Sequence, residues 1–558
     1  MGEPWATGVS LLALQKEQPP RCLPRPYVWR ANDIRINIKL PMSSSPDVVI
    51  IGSGIGGGTL ANCLVRHGLT VTILERGDYL PQEPENWDVN SVFARQRYVP
   101  QETWLDKAGK AFRPGTYYYV GGSSKMYGAA MLRLRERDFG ELEHAGGVSP
   151  AWPITYHQLA PYYDRAERLY GVHGEIGADP TEPSPAAPYP YPPLDHEPVI
   201  EQVASRLKGQ GIKPFPLPVA VQLHKGGTCI RCKTCDGFPC KVHAKNDAEV
   251  AAVTPALATG RLTLKTNSRA TRLLLTSDGR RVNAVEYECG GHTERISAQI
   301  IVVAASAVNS AVLLLRSACD KAPSGVANSS DVVGRNYMAH NNTALMSVGW
   351  RINPTNFQKT ICINDFYFGD DEFKYPMGNI QGLGKLQTGM LTAKQRFLPK
   401  FVGDEMAQRS VDWWLMSEDL PDPGNRVLLQ GDRIRLHYTA NNMAGHKRLA
   451  AKARALMSRI GFKINIAKHM GGLSVSHQCG TVRFGNDPGT SALNEFCRAF
   501  DQENLFVVDS SFFPSSAAVN PALTIAAQAI RVAEHMARVD FGINLTDRGE
   551  LPASMATP

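Results

Sequence analysis

Apolar, mostly β-branched residues fill the chain from Asp47 to Ile51 and again from Thr70 to Leu74. Short continuous runs of this kind predict strands buried on both faces. Between them lies Gly52-Ser53-Gly54-Ile55-Gly56-Gly57, followed by a segment with helix-compatible spacing. Together they predict a strand–helix–strand unit of about thirty residues, closed by Glu75 and Arg76 at the end of the second strand. A G-x-G-x-x-G spacing in that setting is a dinucleotide-binding pattern. Gly52 permits the tight turn, Gly54 lets the backbone beside Ile55 approach a pyrophosphate, and Gly57 lets the helix pack on the strand. Glu75 is placed to accept hydrogen bonds from ribose hydroxyls, which disfavours a 2′-phosphate there. This unit by itself is compatible with FAD and with NAD.

Further along, Gly121-Gly122-Ser123-Ser124 is a run of small residues able to bring backbone N–H groups against a phosphate or a ring edge. Tyr156 to Tyr170 has helical spacing, whereas residues 180–218 are proline-rich and read as an extended, semi-rigid crossing. Leu262 to Val303 reads as several strands, with turn signals at Ser277-Asp278-Gly279 and Gly290-Gly291. It ends in a buried strand at Ile300 to Val303 and the helix-like SAVNSAVLLLRS. Residues 335–475 mix aromatics with alternating polarity, the texture of a large sheet. After His477 come a strand at Leu505 to Val508, the pair Asp509-Ser510, and Asn520-Pro521 leading through Thr524 into a helix over Ile525 to Val539. Proline at a helix start leaves free N–H groups and the Asn520 amide facing whatever lies above.

Length and composition narrow the class without changing the picture. The 558 residues suffice for two or more domains with large cores. Hydrophobic residues at 43% and charged residues at 20% describe an ordinary globular chain. The formal charge of +8 is spread along the sequence, which indicates a solvated surface and not a nucleic-acid footprint. No run approaches the roughly 18 apolar residues of a membrane span, and the N-terminus lacks a basic-then-apolar signal pattern. The expected location is therefore the cytoplasm. Residues 1–44 read as an N-terminal extension, with Met42 as a candidate functional start.

The eleven cysteines include one cluster, Cys229-x2-Cys232-x2-Cys235-x4-Cys240. Four thiolates at this spacing suit an iron-sulfur cluster or tetrahedral zinc. Two disulfides, or free thiols in a tight loop, are the competing readings.

In order and spacing, GSGIGGG with Glu75, VGGSSKMYG, WPITYHQLAPYY, IIVVAASAVNSAVLLLRS, HQCGTVRFGNDP and VVDSSFFPSSAAVNPALT resemble the glucose-methanol-choline (GMC) oxidoreductases, over about Asp47 to Ala537. The WPI and PYY stretches are most similar to bacterial sugar-dehydrogenase-type flavin subunits. The resemblance implies an α/β, Rossmann-like FAD-binding domain within an α+β whole, joined to a substrate domain on a large antiparallel sheet. Residues 45–150, 226–335 and 476–558 would build the FAD domain, 151–225 a connection, and 336–475 the substrate domain. Carried over by motif, His477 falls on the catalytic histidine and Asn520 on the second catalytic position. Gly122, Ser123 and Ser124 match the flavin-side loop. Asp509 and Ser510 match the stretch near the ribityl and pyrophosphate, with Asn520, Pro521 and Thr524 beyond it. Three departures stand out: Tyr127 replaces a frequent Asn, Ser306 replaces a frequent Gly, and no histidine occupies the VGGSSKMYG loop. Noncovalent FAD is therefore expected.

The implied reaction is oxidation of a primary or secondary alcohol, of a sugar or glycoside, with hydride passing to flavin N5. An imidazole, with an unperturbed pKa of about 6.5, suits the hydroxyl proton, and an amide at Asn520 suits positioning. Oxygen, a quinone or a redox protein would reoxidise the flavin. Two other readings keep the fold: a non-redox lyase or decarboxylase, and a flavoprotein subunit whose main task is passing electrons to a partner.

Overall fold

The five strands Leu505–Val507, Ile300–Val303, Val48–Ile51, Val71–Leu74 and Leu262–Lys265 form one sheet in that spatial order, and every pairing in it is parallel. The register sets Val48 opposite both Ile300 and Val71. All four residues of the Val48, Val71 and Ile300 strands are buried, which explains their unbroken apolar runs. The computed structural model from which these pairings come describes residues 45–183, 187–392, 399–471 and 477–545. Residues 1–44, including Met42, lie outside the described residues. Those from Ser45 onward belong to one compact unit.

Helices Ile55–Arg66, Ala522–Val539 and Tyr156–Tyr170 pack on one another in sequence. The Tyr156–Tyr170 helix starts at a capping box between Thr155 and Gln158 and stops at Gly171, whose φ of 57° ends the helical path. Parallel strands put all their carboxyl ends on one side, so the turns after Ile51, Leu74, Val303 and Val507 converge there.

A second, six-stranded sheet runs Ile464–Met470, Asn341–Val348, Ser410–Ser417, Asn379–Gly382, Ile361–Ile363, Phe215–Pro216, with antiparallel pairing throughout. One face carries Leu345, Trp413, Leu415 and Ile380, which share a core with Leu449, Leu456 and Ile200 of the helices Met443–Arg459 and Pro198–Lys208. That second helix departs from the extended crossing expected over residues 180–218. Its Ile200, Val203, Ala204 and Leu207 are buried at helical spacing, and Pro198 sits in the first turn, where a missing N–H costs nothing. The prolines around it masked a short 3.6-residue period.

Ser306 is the N-cap residue of helix Ala307–Arg316, with φ 77° and ψ 157° and no side-chain cap bond. Only glycine adopts this region freely, and other residues pay about 1–3 kcal/mol. Ser306→Gly should therefore stabilise the fold by about 1 kcal/mol after glycine's extra unfolded-state entropy of roughly 0.5–1 kcal/mol, measured as a raised urea midpoint at unchanged slope.

Candidate active site

At the convergent strand ends lies a cavity of about 490 Å³. The helix Ile55–Arg66 opens onto it with Gly54 as N-cap and no side-chain cap, leaving its first N–H groups and positive dipole end for an anion. A Cβ built on Gly54 meets nothing within 4 Å, so any side chain there would enter the cavity. The other glycines of the loop serve the scaffold. A Cβ on Gly52 would lie 2.4 Å from the Ala304 carbonyl oxygen, one on Gly56 1.9 Å from that of Val508, and one on Gly57 2.1 Å from that of Gly52.

Glu75 is buried at the cavity wall. It accepts from the Ser53 amide at 3.1 Å, the Ser53 hydroxyl at 2.6 Å and the Gly77 amide at 2.9 Å. Burial raises its pKa against these three bonds. Arg76 lines the cavity with its guanidinium 3.6 Å over the Tyr118 ring. Gly122, with φ 58°, approaches Gly54 closely enough that a Cβ would lie 3.1 Å from its Cα. Ser123, Ser124, Asp509, Ser510, Pro521 and Ile55 also face this space. Asp509 is held by the Ser511 amide at 2.8 Å and by the Ser310 hydroxyl.

The donor set fits an elongated, anionic dinucleotide. Arg76, Arg269, Arg316 and Arg433 all line the cavity, and the buried Gln478 Nε2 there has no partner. The motif pattern carries no signal for Arg269 or Arg433, which reach the cavity from the strands Ser268–Leu275 and Arg433–His437, whereas Arg316 and Gln478 lie within motifs that gave them no role.

His477 and Asn520 lie on the far side, toward the second sheet. His477 Nδ1 is 3.0 Å from Nδ1 of His340, and His340 Nε2 is 3.0 Å from the Ser516 carbonyl. A carbonyl only accepts, so His340 Nε2 carries a proton. Burial holds the His340 pKa down, so the ring is neutral and its Nδ1 accepts. His477 Nδ1 therefore donates, and its Nε2 keeps the free lone pair. Burial first, then His340 and Lys359, lower the His477 pKa to about 3. Asn520 Oδ1 accepts from Gln381 Nε2 at 3.1 Å. No pattern in the sequence marks His340, whose partner lies far along the chain.

Gly57 lies outside the cavity wall and serves helix packing, the role its place in the loop predicts. Thr524, also outside it, bonds the Tyr163 hydroxyl at 2.8 Å, and Asn520 faces Gln381 and not the dinucleotide cavity. Tyr127 turns away to donate to the Asn246 carbonyl. Cys229, Cys232, Cys235 and Cys240 are free thiols. Among the described residues no three His, Cys, Asp or Glu are grouped to hold a metal ion, so the iron-sulfur and zinc readings have no ligand set behind them.

A covered parallel sheet with a cavity at its carboxyl edge, where a glycine-rich turn opens a helix, defines a dinucleotide-binding fold. Family models described as GMC oxidoreductase match residues 115–342 and 439–529, and one described as an NAD(P)-binding Rossmann-like domain matches residues 50–81. The chain is 33% identical to paromamine 6'-oxidase of Streptomyces fradiae, covering 88% of this chain and 91% of that one. It is 28% identical to the fructose dehydrogenase large subunit of Gluconobacter japonicus, covering 88% and 97%. Crystalline pyridoxine 4-oxidase from Mesorbium loti shares the fold at 19% identity and a TM-score of 0.62, over 88% of this chain and 99% of that one. The chain belongs to the GMC oxidoreductase family, whose members here act on CH–OH groups. Among the described residues no helix is long and apolar enough to cross a membrane.

Gly54→Val should leave the fold intact and abolish flavin binding, read as loss of visible absorbance in soluble protein. Gly57→Ala, which drives a Cβ into the Gly52 backbone, should instead lower soluble yield and melting temperature.

Proposed function

We propose that the chain oxidises a primary or secondary alcohol of a sugar or glycoside, using noncovalent FAD. The observation that carries this reading is the His340–His477 pair, because its hydrogen-bond order leaves one imidazole nitrogen, Nε2 of His477, free to accept a proton. Relatives named for oxidising paromamine and fructose support the sugar class. The loop Gly121–Tyr127 holds glycine, serine, lysine, methionine and tyrosine but no histidine, in keeping with a cofactor held without a histidyl bond.

The residues to hold FAD are Gly52, Gly54, Ile55 and the helix N-terminus at the pyrophosphate, Glu75 and Arg76 at the adenosine end, and Gly122, Ser123, Ser124, Asp509, Ser510 and Pro521 toward the flavin. Glu75 keeps lone pairs for ribose hydroxyls beside its bonds to Ser53 and Gly77. Bound there, FAD supplies the acceptor for the hydride that leaves the carbinol carbon. His477 Nε2 takes the hydroxyl proton as the C–O bond becomes a carbonyl. A base of such low pKa is always unprotonated at neutral pH but is weak, and His340 offsets this. The Nδ1 proton shared over 3.0 Å lets the new positive charge spread onto a second ring. Asn520, its Oδ1 engaged by Gln381, has Nδ2 left to donate to the substrate oxygen and hold the carbon in place.

His477→Ala should slow anaerobic flavin reduction by about 10²–10⁴-fold while flavin stays bound, and near-normal reduction in stopped flow would remove His477 from the mechanism. The depressed pKa also sets the pH profile. Protonation that disables the base occurs near 3 and not near 6.5, so the acid limb of kcat/KM should lie well below the ordinary histidine range. His340→Leu removes the ring that accepts the Nδ1 proton of His477, so the limiting rate of flavin reduction should fall while flavin stays bound.

A further inference from the structure

The second sheet presents a defined row of side chains beside the reaction centre. In a strand, successive side chains point to opposite faces. Leu345, Trp413, Leu415 and Ile380 are buried in the core against the helices, so Ala344, Trp414 and Gln381 belong to the other face. The antiparallel registers set Gln381 opposite Trp414, and Trp414 opposite Ala344. Neighbouring strands lie about 4.8 Å apart, so the three form one line beginning at Gln381, the residue whose Nε2 sits 3.1 Å from Asn520 Oδ1.

Two features of this line are unexplained by the fold. Trp414 is only half-buried, while Trp413 beside it is 0% exposed. Its side chain makes no hydrogen bond and no ring contact with another described residue, and its neighbour Ala344 is too small to cover an indole. Gln381 is 1% exposed, and its Oε1 is buried with no hydrogen-bond partner among the described residues. A buried acceptor left unpaired costs about 1–3 kcal/mol, and a large aromatic surface left uncovered loses its burial energy.

A sugar-type ring answers both. Its C–H face is apolar and flat enough to lie on an indole, and its rim of hydroxyls supplies donors for a carboxamide oxygen. A small acyclic alcohol reaches His477 and Asn520 but does not extend one strand spacing to Trp414. We propose that Trp414 and Gln381 form the floor of the substrate site and select a ring-bearing polyol, a pyranoside-like alcohol, whose reacting carbon is held beside Asn520. Trp414 supplies the platform. Gln381 acts twice: its Oε1 takes a ring hydroxyl, and its Nε2 fixes the Asn520 amide so that Nδ2 faces the alcohol oxygen. This inference rests on His477 and Asn520 being the reaction centre.

The test is anaerobic flavin bleaching of the holoenzyme, with methyl hexopyranosides and with two- to four-carbon diols, in wild type, Trp414→Phe, Trp414→Ala and Gln381→Leu. The wild type should be bleached by at least one pyranoside. Trp414→Ala should raise the apparent Kd for that pyranoside at least tenfold and change that for the diols less than twofold, with Trp414→Phe recovering most of the loss. Gln381→Leu should lower the limiting reduction rate as well as raise the pyranoside Kd, because it also releases Asn520. Equal effects of Trp414→Ala on pyranosides and diols, an unchanged pyranoside Kd, or a wild type bleached by diols alone would overturn the ring floor while leaving the alcohol-oxidising reading intact. Bleaching by no alcohol at all would overturn both. Flavin content and melting temperature of each variant identify a folding failure. If Trp414→Ala does not fold, Gln381→Leu decides: a rise in pyranoside Kd no larger than the rise in diol Kd overturns the floor, and a larger one supports it.

Discussion

Backbone contacts that leave no room for a side chain hold this molecule's centre together. Gly52 meets the Ala304 carbonyl, Gly56 the Val508 carbonyl and Gly57 the Gly52 carbonyl, each at a distance a Cβ would violate. Three segments far apart in the chain are thereby locked edge to edge at the carboxyl ends of the parallel strands. Everything chemical depends on that closure. It aims the helix N-terminus at the cavity, sets Asp509 beside the glycine-rich loop, and brings the loop carrying Ser516 and Asn520 against His340 and Gln381.

Electrostatics then decides the protonation states. The His340–His477 pair has a direction because one end terminates on a carbonyl, which cannot donate. Burial lowers both imidazoles, so neither competes for a proton before substrate arrives. Lys359 contributes to this from a distance while being paired with Asp236. The cost is basicity, and sharing the Nδ1 proton between two rings is the available compensation.

The parallel sheet was legible in the sequence because strands buried on both faces carry unbroken apolar runs, and Val48–Ile51 and Ile300–Val303 do so without a polar interruption. The helix Tyr156–Tyr170 was equally plain, with Thr155 and Gln158 forming its capping box and Gly171 its stop. Local signals failed where tertiary contact decides. His340 precedes a strand of mixed residues, and nothing near it in sequence marks its meeting with His477. The Pro198–Lys208 helix was hidden by flanking prolines. The cysteine spacing suggested ligands, yet among the described residues no three such side chains are grouped to hold a metal ion, and Lys245 donates to the carbonyls of Cys235 and Phe238 within this loop and to that of Tyr127. Thr524 belongs to the motif by sequence and to the packing by position, where it bonds Tyr163, a distinction that spacing alone does not carry.

The Ser53 hydroxyl occupies a junction whose effect reaches beyond any single bond. It donates to Glu75 at 2.6 Å and accepts from the Gly121 amide at 3.0 Å, so one small group joins the glycine-rich loop, the Glu75 carboxylate and the Gly121 loop. The three meet at one oxygen, so a displacement of any of them disturbs the bonds of the other two, and this wall of the cavity takes shape as one cooperative unit.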